Sequence, residues 1–359
     1  MAYNANTFDH SQITQPLTLP LAPEPHVEAW EAYAAEAGDI GAFAALRKRL
    51  VQLWFPIAAG MSQRETYRAA TLRGTPVESL DDATGLHLHQ PDRLQLKLYD
   101  NLAGRIPVLI PGCRADFVTL VQALSRRNEP EPVPASMGAC TIGGYNNWDR
   151  MRALRQAWEA THPWEPNGWA AEFQRLLPQK ALYQDRLMIV SNGFYSNIAA
   201  ADMELSTAAW QRLSVTIRIE HECTHYFTRR VFGAMRNNAT DELIADYFGI
   251  VAALGHFRAD WFLRFMGLED FPAYREGGRL QNYRDTPPLS DGALTVLQAL
   301  VRDATTHLER FDATHGDALR SAEQKACLML ALTSLTLEEL ASPEAEARLD
   351  QAWQAVRGR

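Results

Sequence analysis

The stretch RIEHECTHYF, residues 218–227, contains His221, Glu222 and His225 in the order H-E-x-x-H. Residues four apart on a helix lie one above the other on the same face. His221 and His225 can therefore turn two imidazoles toward one ion. Glu222 lies about 100° round the helix from His221, beside the ion and within reach of a bound water. Two neutral nitrogens that hold a metal and a free carboxylate that takes a proton are the parts of metal-assisted hydrolysis. The next segment, TDELIADYFGI, carries Glu242 and Asp246 one helical turn apart. A catalytic metal needs a third protein ligand and an open position, and Glu242 suits the first need if the two helices pack side by side. Asp246 could accept the second N–H of a ligand histidine and so fix its tautomer.

His221-Glu222-x-x-His225, followed by Glu242-x-x-x-Asp246, resembles the gluzincin metallopeptidases of the thermolysin-like clan. The resemblance covers residues 206–255. It implies one Zn2+ ion held by His221, His225 and Glu242, with Glu222 as general base and Asp246 behind His221. In that clan an edge strand pairs with an extended substrate, a part that Asn192, Gly193 and Phe194 after the RLMIV run could take. The oxyanion needs a donor, and Tyr195, Tyr226, Tyr247, His256 and Tyr283 are candidates. In the loop REGGRLQNYRD, Arg279 or Tyr283 could hold a substrate carboxylate or the oxyanion. The combination of HECTHYFTRR, DELIADY and GGYNNWDR also resembles an uncharacterised bacterial family. The function expected is a zinc-dependent metallohydrolase of narrow range, cleaving a peptide or small amide.

Two other classes compete. Glu159-x-x-His162 and Glu222-x-x-His225 are two E-x-x-H pairs, the signature of di-iron carboxylate bundles, which would make the protein a di-iron or other non-haem metal oxidase or oxygenase. Pro163 directly after His162 weighs against a helix through that pair. The third class is a non-catalytic metal-binding scaffold, which has no need of a carboxylate such as Glu222 beside the ion. Cys223, two residues from His221, points away from it on a helix. The four cysteines, at 113, 140, 223 and 327, form no CxxC pair and read as small buried apolar residues in a reducing, cytoplasmic setting. His87 and His89 read as a surface or loop pair.

These side chains need elements to position them. Ser206 is a plausible N-cap, and Trp210, Leu213, Ile217, His221 and Thr224 recur at helical spacing until Gly233. A second helix should run from about Asn238 to Gly255, with later ones over 290–312, 316–340 and 343–356. Upstream, RLQLKLYD alternates at strand period and RIPVLIPG suits a buried strand. Residues 114–127 read as an amphipathic helix and 185–196 as a strand ending in a turn. Residues 128–150, rich in Pro, Gly and Asn, read as an extended loop in which Tyr145 and Trp148 serve as anchors. The fold expected is α+β and helix-rich: an irregular arm over 1–26, an α/β part with a small sheet over 27–205, and a helical part over 206–359, with the metal site between the two parts.

Of the 359 residues, 47% are hydrophobic and 22% charged, enough apolar content for a sizeable core. The net charge of −8 argues against broad binding to nucleic acid or to anionic membranes. The first residues show no basic start followed by an apolar run, and no apolar run is long enough for a bilayer.

Overall fold

The computed structural model describes residues 8–13, 17–165, 167–236, 238–284 and 287–357. The chain divides into two compact units. One comprises Pro23–Asp100 and Arg105–Gly193. The other is built on Phe194–Arg359, with the short piece Asn101–Gly104 and residues before Pro23. The architecture is α+β and helix-rich, with its sheet in the N-terminal region and helices alone after it. The arm expected over 1–26 lies partly outside the described residues; within it His10–Gln12 forms a 3-10 turn.

The first unit begins with α1 (Val27–Ile40) and α2 (Ala42–Arg47), separated by Gly41 at φ +85°, a conformation in which only glycine is comfortable. After α3 (Glu65–Arg73) come β1 (Gln95–Asn101), β2 (Gly104–Ile110), α4 (Arg114–Ser125) and β3 (Ala139–Asn146). They are followed by α5 (Trp148–Thr161), α6 (Trp169–Leu176) and β4 (Gln184–Val190). The four strands form one sheet in the order β1-β2-β4-β3. β2 runs parallel to β4, and β3 runs antiparallel to it. Trp30, Leu109, Phe117, Leu120, Leu187 and Ile189 fill the core between the sheet and its helices.

Two expectations change here. The segment read as a loop over 128–150 contributes β3. Gly143 and Gly144 belong to a bulge between Ile142 and Tyr145, where the pairing with β4 slips. Strand β4 is therefore flanked on both sides, by β2 and β3, and is not an edge strand onto which an extended substrate could add. Asn192, just beyond it, instead donates a side-chain N–H to the carbonyl of Gly112 at 2.8 Å.

The second unit is helical. It contains α7 (Thr207–Phe232), α8 (Ala239–Leu254), α9 (Ala259–Met266), α10 (Asp291–His315), α11 (Ala322–Leu332), α12 (Leu337–Ala341) and α13 (Ala345–Arg357). The single helix expected over 316–340 is divided: Thr336 and Glu339 form a reciprocal capping box that starts α12 afresh. No helix of the described residues is long and apolar enough to cross a membrane.

Candidate metal centre

Helix α7 is held at its start by Ser206, whose hydroxyl accepts from the N–H of Ala209 at 3.3 Å, and it ends at Gly233 in the left-handed region. Asn238 caps α8 in the same way, accepting from the N–H of Asp241 at 2.9 Å. The two helices pack closely because Gly249 of α8 lies against the backbone of Ile217. A Cβ there would sit 2.7 Å from the Ile217 carbonyl oxygen. This approach brings His221 and His225 of α7 against Glu242 of α8, all three buried, with one donor atom from each within 4.8 Å of the others. The residues of this centre, and those that touch it, all belong to the helical unit.

The histidine tautomers follow from what stands behind the rings. Nδ1 of His221 lies 2.7 Å from Oδ1 of Asp246, and Nδ1 of His225 faces Oδ2 of Asp241 at 3.4 Å. A carboxylate at Nδ1 calls for an N–H there, which leaves Nε2 as a bare lone pair. The two Nε2 atoms are 3.1 Å apart. Glu242 approaches them at 3.5 Å from His221 and 3.7 Å from His225. Two lone pairs and a carboxylate oxygen aimed at one point repel one another unless a cation lies between them. The donor chemistry therefore fits a metal ion. A proton is the smallest cation that could serve. Burial pushes the His225 imidazole down, yet Asp241, Glu242 and Glu222 together outweigh it and raise its pKa from 6.5 to about 10. A metal ion would displace that proton.

A second layer fixes these groups. Asp246, fully buried, accepts from His221, from the Tyr195 hydroxyl at 2.5 Å and from Nη2 of Arg279 at 2.6 Å. Burial alone would raise its pKa, but Arg279, His221 and Tyr195 overcome that and hold it at about 2. Arg279 leaves the 3-10 turn Arg279–Tyr283, reaches Glu242 at 3.3 Å, and donates to the Tyr195 hydroxyl at 2.9 Å and the Ser196 hydroxyl at 3.2 Å. Tyr283, from the same turn, hydrogen-bonds Glu242. Tyr195 is set by its own N–H, which donates to Ser214 of α7 at 2.9 Å. The guanidinium groups of Arg218, at 5.4 Å, and Arg279, at 5.3 Å, both approach its ring. Ser196 and Asn197 follow at φ +50° and +57°, two successive non-glycine residues in the left-handed region. That is strain of the kind that gathers at functional sites. Arg279 pairs with both Glu242, at 3.3 Å, and Asp246, at 2.6 Å.

The structure thus brings together His221, His225, Glu242, Asp246, Tyr195, Tyr283 and Arg279. Glu222 is half-buried beside His221 and is not one of the three converging donors. Asn192 and Gly193 belong to the other unit. Asp241 was missed by sequence reasoning, although its position immediately before Glu242 was a usable signal. Glu159 and His162 take no part: Glu159 pairs with Arg155, and His162 stacks on Trp158 at 4.5 Å.

The centre corrects the expected activity. The finding that overturns it is the donor set itself: a two-histidine, one-carboxylate triad, more typical of non-haem iron oxidases and oxygenases than of a zinc hydrolase. The gluzincin assignment, the zinc ion as its mark and the metallohydrolase reading built on them are not supported. The fold and centre define an α+β protein with a buried three-ligand metal site. The chain belongs to a family of unknown function, DUF7005, which it matches over residues 1–344. No curated protein and no solved structure matches it.

Proposed function

We propose that this protein is a mononuclear non-haem iron enzyme, an oxidase or oxygenase acting on a small molecule. The observation that carries this reading is the convergence of two bare Nε2 atoms and one carboxylate oxygen on a single point, the facial set associated with that class. Three protein donors leave the rest of an octahedral sphere for small exogenous ligands. A bound ferrous ion would supply the one-electron chemistry that lets dioxygen react with an organic molecule.

The chain's own residues have distinct parts in this proposal. Asp246 and Asp241 keep the protons of His221 and His225 on Nδ1, so that both Nε2 atoms are ready to ligate. Arg279 and Tyr283 hold Glu242 from one side and restrict its rotation. The burial of all three donors excludes bulk water, which suits chemistry with reactive oxygen species. The E-x-x-H pair at Glu159 contributes nothing to the centre, which favours one ion over two.

The test is metal analysis joined to oxygen uptake. Protein purified anaerobically and offered ferrous, manganous and zinc ions in turn should hold one ion per chain, lost in Glu242→Ala. Oxygen consumption with a small-molecule library should then require iron and fail with zinc. Exclusive retention of zinc, with iron refused under reducing conditions, would sink the proposal.

A further inference from the structure

We infer that the sheet unit carries a separate binding site for a neutral single-ring heteroaromatic molecule, walled by α3, α5 and α6. The site is independent of the metal centre. It is a cavity of about 140 Å³ where β3 ends and β4 begins. An apolar cavity of about 150 Å³ accepts one benzene ring. Trp148, Met151, Phe173, Leu177 and Tyr183 line it. Leu72, 55% exposed, is a large apolar side chain held at the surface beside it. Among the described residues, no charged one lines the cavity. An ion would find no partner there, so the ligand is neutral.

The walls are fixed before any ligand arrives. The indole N–H of Trp148 donates to the carbonyl of Thr71 at 2.8 Å. Gly74, at φ +71°, lies so close to the indole that a Cβ would fall 2.4 Å from the ring. Phe173 stands 6.4 Å from Trp148 with an interplanar angle of 27°. The Tyr183 hydroxyl is tied to the carbonyl of Leu177 at 2.8 Å. A cavity whose aromatic walls are pinned from behind keeps its shape, and this lowers the ordering cost of binding.

The polar edge sets the class of ring. Asn146 and Gln184 face each other across β3 and β4, and the Gln184 amide N–H donates to Oδ1 of Asn146 at 3.0 Å. That bond uses one amide's acceptor and the other's donor. Nδ2 of Asn146 remains as a donor and Oε1 of Gln184 as an acceptor. Asn147 adds nothing, because its amide is taken by the start of α5, by Tyr33 and by Asp185. A neighbouring donor and acceptor match a ring that carries a carbonyl beside an N–H. Such an edge occurs in lactams and in many nucleobase-like heterocycles.

The probe is 2-pyridone, with N-methyl-2-pyridone and benzoate as controls, followed by ligand-detected NMR and calorimetry on the full chain. Binding of 2-pyridone with Kd near or below about 1 mM is expected from a ligand of this size. Loss of the N–H in N-methyl-2-pyridone should weaken it at least about 5-fold, and benzoate at least about 10-fold, as expected for a lost hydrogen bond and a buried charge. Gln184→Met should erase the preference for 2-pyridone over its N-methyl form. Met151→Trp should fill the cavity and abolish binding, while Ile40→Ser, exposed and outside the lining, shows that a folded variant can still bind. Absence of 2-pyridone binding to the wild type, or equal binding to Met151→Trp, would overturn the inference. So would a preference unchanged in Gln184→Met.

Discussion

Replacing Asp246 by asparagine removes a charge and almost no volume. Its two oxygens serve opposite partners: Oδ1 faces His221 and Tyr195, and Oδ2 faces Arg279. Asparagine must turn an NH2 toward one of them. Turned to Arg279, it sets donor against donor. Turned to His221, it takes the acceptor from Nδ1, and the imidazole proton moves to Nε2, where it blocks ligation. Loss of a carboxylate behind a ligand histidine typically costs 10–100-fold in metal affinity, about 1.4–2.7 kcal/mol. Folding suffers as well. Breaking a buried charge pair costs about 3–5 kcal/mol, but Arg279 keeps Glu242 at 3.3 Å and is 17% exposed, so about 2–3 kcal/mol is expected here. Competition against a chromophoric chelator reads the first quantity, and urea unfolding of the metal-free protein reads the second. Tyr195→Phe, which removes the hydrogen bonds to Asp246 and from Arg279 but no charge, should cost about 1–2 kcal/mol in the same unfolding experiment. Metal affinity in Asp246→Asn within threefold of wild type would refute the reasoning that Asp246 sets the His221 tautomer.

Three further outcomes are expected. Gly249→Ala forces α7 and α8 apart at Ile217, at a cost of about 1–3 kcal/mol that exceeds the roughly 1 kcal/mol gained in helix propensity; urea midpoints should fall and metal affinity with them. Metal at 100 times its Kd should stabilise the wild type by about 2.7 kcal/mol, seen as a higher melting temperature that Glu242→Ala does not show. His26 is buried, and desolvation of its charged form lowers its pKa below 6.5 despite Asp185 and Glu24 nearby. The unfolded chain therefore binds a proton that the folded chain resists, so this contribution is complete above pH 6.5 and is lost as pH falls toward the folded value. Melting temperatures from pH 7.5 to 5.5 should drop more steeply for wild type than for His26→Gln, and parallel curves would exclude His26 as the source.

The metal ligands were legible because their spacing is a property of the helix alone. His221 and His225 share a face at i, i+4, and Glu242 follows on the next helix. The class of ion was not legible in the same way, because imidazole and carboxylate donors suit several metals and the motif by itself ranks none of them. Arg279 was read as a group for substrate, whereas its guanidinium is held by Asp246, Glu242 and Tyr195. Such long-range pairing has no local sequence signal. Strand β3 was missed for a local reason: GACTIGGYNN carries glycines and polar residues that read as a loop, and only the bulge reconciles them with a ladder. That one miss also hid the fact that β4 is an inner strand. The helix boundary at Gly233 was visible because glycine is needed there at positive φ.

The placement of all three donors on consecutive helices has a consequence for the order of assembly. The chain that must close between His225 and Glu242 is short, so its loop-closure entropy is small and the pair α7–α8 can form early from local contacts. Arg279 and Tyr283 come from a turn further along the chain, beyond α9, and join later. The expected sequence is a hairpin of two helices that can already capture an ion, followed by a cationic latch that closes over Asp246 and Glu242. An ion taken up before the latch closes would be chosen by availability during synthesis, and one offered afterwards would have to displace Arg279 from Glu242. Metal identity in this protein is then a matter of timing as much as of affinity.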